Sequence, residues 1–447
     1  SLEDAGRIVA GDAEMFYATV KKRVRDWQLM PAPAQASGEK RLSTAENGPA
    51  ATKSSLDTEN QTGEHTHVPA SKGICLKIGS SERSFEAKEY SLGISDTRLN
   101  QLNMGVVGDL GTGKTQLLKS LVYQIASSAN DNRGIRPRVL IFDYKRDYSS
   151  EDFVKATNAQ VVRPHKLPLN LFDITNLTDT TVPWLGRFRF FADVLDKIYA
   201  GIGPVQRDKL KRAVKAAYDA ASGQYPPTIY DVHAVYRDLL DGKSDSPMAI
   251  IDDLVDMEIF EPDPSKIIPF DQFLEGVVVI SLDALGQDDR SKNMLVAVML
   301  NMFYENMLRL PKRPFVGTNP QLRVIDSYLL VDEADNIMRY EFDVLRKLLL
   351  QGREFGCGVI LASQYLRHFK VNATDYREPL LTWFVHKVPN ITPAELAALG
   401  LSSSATEMAE RVKTLPNHYC LFKSFDAPGL IIKGLPFYEL LAREAEK

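Results

Sequence analysis

Eight consecutive residues, Gly108-Asp109-Leu110-Gly111-Thr112-Gly113-Lys114-Thr115, place glycines, a lysine and a hydroxyl at the spacing G-x-x-x-x-G-K-[ST]. The chemistry such a set can do is phosphate binding. Glycines let backbone N–H groups close around an anion, and the following helix adds the partial positive charge of its first turn. Lys114 is placed to contact the β- and γ-phosphates of a nucleotide and Thr115 to ligate Mg²⁺. Gln116, next in the chain, is grouped with the nucleotide-binding stretch.

A second set lies more than two hundred residues downstream. Tyr328-Leu329-Leu330-Val331 is followed by Asp332-Glu333. Asp332 is suited to support Mg²⁺ beside Thr115, and Glu333 to polarise an attacking water as general base. Gln364 follows the apolar run Gly358–Ser363, where an amide can sense a γ-phosphate from the side opposite Glu333. Arg353, in Gln351-Gly352-Arg353-Glu354-Phe355-Gly356, is a candidate arginine finger for a neighbouring subunit's phosphates. Its alternative is a surface ion pair with Glu354 or another acid.

These residues act together only if the chain brings them to one place. Leu102–Val107 reads as a short buried strand before the glycine loop, and Leu117, Leu118, Leu121, Val122 and Ile125 recur at helical spacing after it. Val139–Asp143 is a continuous apolar run ending in an acid, as in a parallel strand buried on both faces. It puts Asp143 and Lys145 at a strand's carboxyl end, where ligands bind in open α/β sheets; Asp143 could equally cap a turn. Val277–Leu282 and Tyr328–Val331 read as further buried strands, and Ser291–Leu308 as a long amphipathic helix. Ile74–Ile78 alternates with period two and could pair back as a hairpin with Phe85–Tyr90. Gly93–Asn103 then leads into the phosphate loop, a position from which a chain often wraps near a nucleotide base. Thr392-Pro393-Ala394-Glu395 is a capping box with Pro at the first helical position. His418–Phe425 and Leu430–Phe437 read as two strands extending the sheet at an edge. Asp283-Ala284-Leu285-Gly286 resembles a GTPase switch superficially, but no N-K-x-D motif occurs.

The 447 residues suit two or three compact units. Apolar content of 44% and charged content of 25% are those of a globular protein. A net charge of −4 means that any grip on nucleic acid must be a local surface. Cys75, Cys357 and Cys420 are far apart, which fits a reducing cytosol and neither a disulfide framework nor a zinc site. No run of apolar residues suits a membrane span. The chain begins at Ser1, and its first segment reads as the middle of something, so a piece of a longer protein is expected. The expected organisation is a helical segment over 1–29, a flexible linker over 30–72 and a helical insertion over 175–258. The core is expected over 73–174 and 259–447. Three helices are legible in the insertion; the second carries Arg207, Lys209, Lys211, Arg212 and Lys215, a run that reads as a solvated face before it reads as a DNA contact.

Taken in order, the phosphate loop, Ile141-Phe142-Asp143-Tyr144-Lys145, Tyr328–Asn336 and Gly352–Gln364 resemble the HerA/FtsK superfamily of P-loop motors over roughly 93–437. The resemblance implies an α/β, RecA-like P-loop NTPase core with a mostly parallel sheet flanked by helices. It further implies ATP and Mg²⁺ as cofactors, ATP hydrolysis, a hexameric ring and translocation of double-stranded DNA. It assigns Lys114 and Thr115 to phosphate and Mg²⁺, Asp332 to the metal, Glu333 to catalysis, Gln364 to sensing and Arg353 to the finger. The wording of Tyr340–Phe369 is most similar to the ATPase module of DptH-like proteins of DNA-phosphorothioation-dependent restriction systems. That likeness implies cytoplasmic anti-phage defence with nuclease-bearing partner subunits and no membrane. The region ahead of the loop is too short and linker-rich for HerA's amino-terminal β-barrel. The alternatives are a protein-substrate coupling or secretion motor on the same core, and a nucleotide-gated assembly switch for nucleases.

Overall fold

A computed structural model of the chain describes residues 72–81, 88–175, 181–199, 201–425 and 428–446. The expected amino-terminal helix and nearly all of the expected linker lie outside the described residues. The strands in chain order are β1 Cys75–Ser81, β2 Glu89–Gly93, β3 Met104–Val107, β4 Arg138–Asp143, β5 Gln160–Val162, β6 Val277–Ser281 and β7 Ser327–Val331. They continue with β8 Cys357–Ser363, β9 Lys370–Val371, β10 Thr374–Asp375, β11 Thr382–Val385, β12 Tyr419–Lys423 and β13 Leu430–Gly434.

Among the described residues, eleven strands form one sheet in the order β2-β1-β13-β12-β11-β3-β8-β7-β4-β6-β5; β9 and β10 form a separate ribbon. From β11 to β5 every pairing is parallel. From β11 outward through β12, β13, β1 and β2 every pairing is antiparallel. This is the mostly parallel, helix-flanked core expected. The parallel strands read as unbroken apolar runs because successive side chains enter two different cores. Leu140, Phe142, Val278, Ile280, Leu329 and Val331 face one cluster, and Val139, Ile141, Val277, Val279, Tyr328 and Leu330 face the other. The helix Lys114–Ala126 covers the second face with Leu117, Leu118, Leu121, Val122 and Ile125. The first is covered by the helix Asp289–Arg309 and by helices between β5 and β6, the longer ones being Pro183–Tyr199, Pro204–Ala221, Ile229–Leu239 and Ser246–Asp256.

Several expectations need correcting. The helix Asp289–Arg309 is not simply amphipathic: Ser291 through Leu300 are all buried, because it lies between the sheet and the other helices. β12 and β13 pair as expected but are interior, with the β1–β2 hairpin beyond them at the edge. The last strand stops at Gly434; Pro436 caps a helix over Phe437–Ala445 instead. Gly93–Asn103 does not approach the phosphate loop. It lies at the amino ends of the parallel strands, where Thr97 bonds Gln321 and Arg323 bonds Ser95. The capping box at Thr392 forms as read. The basic run on Pro204–Ala221 is largely exposed and is partly neutralised by Arg212–Asp208 and Lys215–Asp219 pairs, as a solvated face should be. The D-x-x-G stretch is a short 3₁₀ turn whose Asp283 pairs with Arg146. Among the described residues no helix is long and apolar enough to cross a membrane.

Candidate functional site

The site assembles at the carboxyl ends of four adjacent parallel strands, β3, β8, β7 and β4. β3 delivers the glycine loop. Three straps hold it: Gly108 N donates to Ser363 O at 3.3 Å, Asp109 N to Lys387 O at 2.9 Å, and His418 N to Thr112 O at 2.9 Å. Within the loop, Thr112 Oγ1 donates to Asp109 O and Leu110 N to Asp109 Oδ1, both at 2.8 Å. Two glycines are sterically required. Gly113 has φ +97°, and a β-carbon there would sit 2.5 Å from His418 Nδ1; one at Gly108 would sit 2.7 Å from the His386 β-carbon. Lys114 opens the helix, so its unpaired first-turn N–H groups face the loop.

The loop forms one side of a cavity of about 360 Å³ lined by every residue from Asp109 to Gln116 together with Lys145, Asp147, Glu333 and His418. β7 ends at the two acids. Lys114 Nζ is 3.8 Å from both Asp332 Oδ1 and Glu333 Oε1. Asp332 also accepts from the Tyr148 hydroxyl at 3.0 Å through Oδ2 and from Glu333 N at 3.0 Å through Oδ1. Burial raises the Asp332 carboxyl above the usual range, with Lys114 opposing. Glu333 has φ +54°, an unusual backbone for a non-glycine residue. Burial alone would raise its carboxyl too, but Lys145, Lys114 and Gln364 together hold it below the usual value. Gln364 leaves the end of β8 with Nε2 3.4 Å from Glu333 Oε2.

Lys114, Asp332, Glu333 and Gln364 are therefore brought together, with Thr115 on the same cavity. Arg353 is not. It precedes β8, at the opposite end of the strands, and donates to Asn100 Oδ1 at 2.6 Å; Glu354 pairs with Lys312 instead. Asp143 proves to be a turn cap, accepting from the backbone of Lys145, Asp147 and Tyr148. It thereby sets the two side chains that reach the acids of β7.

Two histidines flank the loop without any spacing that marks them in sequence. His386, just after β11, is fully buried against the backbone of Thr112 and Tyr419, with neither ring nitrogen hydrogen-bonded; burial depresses it to about 3. His418, at φ +68°, packs on Gly113, and its Nδ1 has no partner.

The donor set fits a magnesium nucleotide. Among the described residues no three His, Cys, Asp or Glu side chains could form a protein metal cage. Thr115 and Asp332 instead offer the one-hydroxyl, one-carboxylate arrangement that Mg²⁺ completes with phosphate and water. Gln116 Oε1, on the cavity's lining residue, is buried without a hydrogen-bond partner.

Residues 86–303 match the family model described as "Helicase HerA, central domain". The match contains the loop and Lys145 and ends before Asp332. No curated protein matches the sequence. The structure of VirB4 of Thermoanaerobacter pseudethanolicus superposes with a TM-score of 0.62 at 13% identity, covering 82% of this chain and 98% of that one. The bacterial conjugative coupling protein TrwB gives 0.49 at 14% identity over 75% of this chain and 85% of that one. A TrwB complex with ADP and Mg²⁺ gives 0.48 at 15% identity over 76% and 86%. Residues 86–303 are thus similar to the HerA central domain, and the chain as a whole has the fold of VirB4.

Proposed function

We propose that this chain is an ATP-hydrolysing motor acting on double-stranded DNA. The observation that carries the hydrolytic part is that Lys114 and Glu333 line the cavity of the glycine loop, with Asp332 beside Lys114 and Gln364 beside Glu333. Bound Mg²⁺ would neutralise charge on the phosphates, held by Thr115 and Asp332. The loop N–H groups and Lys114 bind and orient the phosphates. Glu333, kept ionised by its neighbours, accepts the proton of the attacking water, and Gln364 fixes that carboxylate from the other side.

The DNA substrate rests on the HerA-type domain and on the motif resemblance. So do the hexamer, the cytoplasmic setting and the place beside a nuclease in a phosphorothioation-dependent restriction system. Arg353 belongs to the same proposal. Since it lies at the opposite end of the strands from its own loop, it would serve a neighbouring copy's phosphates.

Turnover of ATP by the chain, with and without duplex DNA, tests the reading. Mg²⁺-dependent hydrolysis rising several-fold with duplex DNA is expected. Lys114→Ala should abolish it, and Glu333→Gln should bind ATP without cleaving it. Mixing Lys114→Ala with Arg353→Ala chains should restore part of the activity if the finger works between subunits. Hydrolysis indifferent to DNA of every form would overturn the DNA motor, and stimulation by an unfolded polypeptide instead would favour a protein-substrate motor on the same core. Turnover far below about 1 s⁻¹ under all conditions would favour a nucleotide-gated switch.

A further inference from the structure

One cation on the cavity has no role in the hydrolytic scheme. Lys145 Nζ lies 2.5 Å from Glu333 Oε1, the oxygen that also faces Lys114 at 3.8 Å. A carboxylate so occupied is poorly placed to take a proton from water. The two partners differ in freedom. The Glu333 side chain is 11% exposed, fixed by Gln364 and by its backbone, whereas that of Lys145 is 43% exposed. The backbone beneath Lys145 is tied, because its N–H donates to Asp143 Oδ1 at 3.1 Å. Any movement is therefore confined to the four-carbon stem, which holds a compact ammonium that can change partners.

Charge counting points the same way. As it stands two ammonium groups, Lys114 and Lys145, face Asp332 and Glu333, and Asp109 and Asp147 on the cavity wall add further negative charge. A magnesium nucleoside triphosphate adds net negative charge. Lys114 is then taken by the β- and γ-phosphates and Asp332 by the metal. Lys145 is the remaining lysine on the cavity wall, standing on the acid side where the terminal phosphate must lie if Glu333 is to direct water at it.

We propose that Lys145 is a γ-phosphate ligand that the nucleotide-free site parks on the general base. When a triphosphate binds, the ammonium passes from Glu333 to the terminal phosphate, and Glu333 is released to act on water. This rests on the reading of the site as ATP-hydrolysing. The exchange ties the freeing of the base to the presence of the phosphate to be cleaved. A diphosphate leaves Lys145 on Glu333. The Glu333 carboxylate keeps the Lys145 ammonium charged against the opposing effect of burial, so the cation is ready for transfer.

The test is equilibrium binding of ADP and of a non-hydrolysable ATP analogue, each with Mg²⁺, to the whole chain and to Lys145→Ala, Lys145→Arg and Glu333→Gln. Lys145→Ala should weaken the triphosphate analogue about tenfold, the scale of one charge-assisted contact, and leave ADP within about twofold. Lys145→Arg should recover part of the loss. Glu333→Gln, which removes the competing carboxylate, should tighten the analogue more than ADP. Equal weakening of both nucleotides, or unchanged discrimination in Lys145→Ala while binding still depends on Lys114, would overturn the proposal alone. Failure of the unaltered chain to bind either nucleotide would overturn the hydrolytic reading and the proposal with it.

Discussion

The Tyr148 hydroxyl donates a 3.0 Å hydrogen bond to Asp332 Oδ2, and the tyrosine is fully buried. The bond fixes the rotamer of the acid proposed to support Mg²⁺ and satisfies one oxygen of a carboxylate that burial would otherwise favour protonating. It leaves Oδ1 turned toward Lys114 and the backbone of Glu333. A donor that bonds a metal-supporting carboxylate from behind orients it and tunes its basicity.

Tyr148→Phe tests that bond with almost no change of shape. The variant should lose about 1.5–3 kcal/mol of stability, the range for a hydrogen bond to a charged group. It should also need roughly tenfold more Mg²⁺ for half-maximal turnover, the lower end of losses seen when a metal's outer-shell partner is removed. A magnesium titration of ATPase activity beside a urea melt separates the two effects. An unchanged magnesium requirement would mean that the tyrosine only packs.

The Gly113–His418 contact predicts non-additive behaviour. Gly113→Ala puts a methyl group at φ +97° and 2.5 Å from His418 Nδ1. Backbone strain alone should cost about 1–3 kcal/mol, and the displaced imidazole should add to it. His418→Gly removes the ring and relieves the residue's own φ of +68°. In the double variant the clash with the ring is gone while the strain at Gly113 and the 3.1 Å approach to the backbone of residue 418 remain, so the two substitutions together should destabilise less than the sum of the singles. Thermal melts of the four proteins measure this. Strict additivity would contradict the contact.

The two halves of the site were legible in the sequence for different reasons. The glycine loop is contiguous, and its strand and helix flanks announce their own periodicities. Asp332 and Glu333 stand out because four apolar residues precede them. In sequence Lys145 is legible only as a group at a strand end, since its partner lies 188 residues away and nothing local pairs them. Tyr148 and Asp332 are separated by 184 residues. His386 and His418 carried no signal, because their role comes from β11 and β12 lying beside β3, a neighbour relation set by sheet order. The same limit hid the interior position of β12 and β13 and the unbroken burial of Ser291–Leu300. Sequence periodicity reports one buried face and cannot count how many layers cover it. The stop at Gly434 was legible in principle, since Pro436 favours the start of a helix over the continuation of a strand.

His386 predicts an acid-side loss of stability. In the folded chain burial holds it neutral down to about 3, helped by the charges of Lys114 and His418 and opposed by the Thr112 and Tyr419 backbone, whereas in the unfolded chain it titrates at the ordinary value of 6.5. Its folded value is thus depressed, so the unfolded state binds the extra proton between those limits. The associated stability is fully present above pH 6.5 and is lost progressively as pH falls toward 3, by an amount on the order of a few kcal/mol. His386→Leu removes both unpartnered nitrogens and the titration together. The melting temperature of this variant should decline less steeply than the parent's between pH 6.5 and 4, even if its value at pH 7.5 differs. Because the His386 β-carbon abuts the site of Gly108, a pH-dependent loosening of the parent should also weaken nucleotide binding in the same range. Parallel melting curves for the two proteins across that range decide the matter: equal slopes would show that some other group carries the proton.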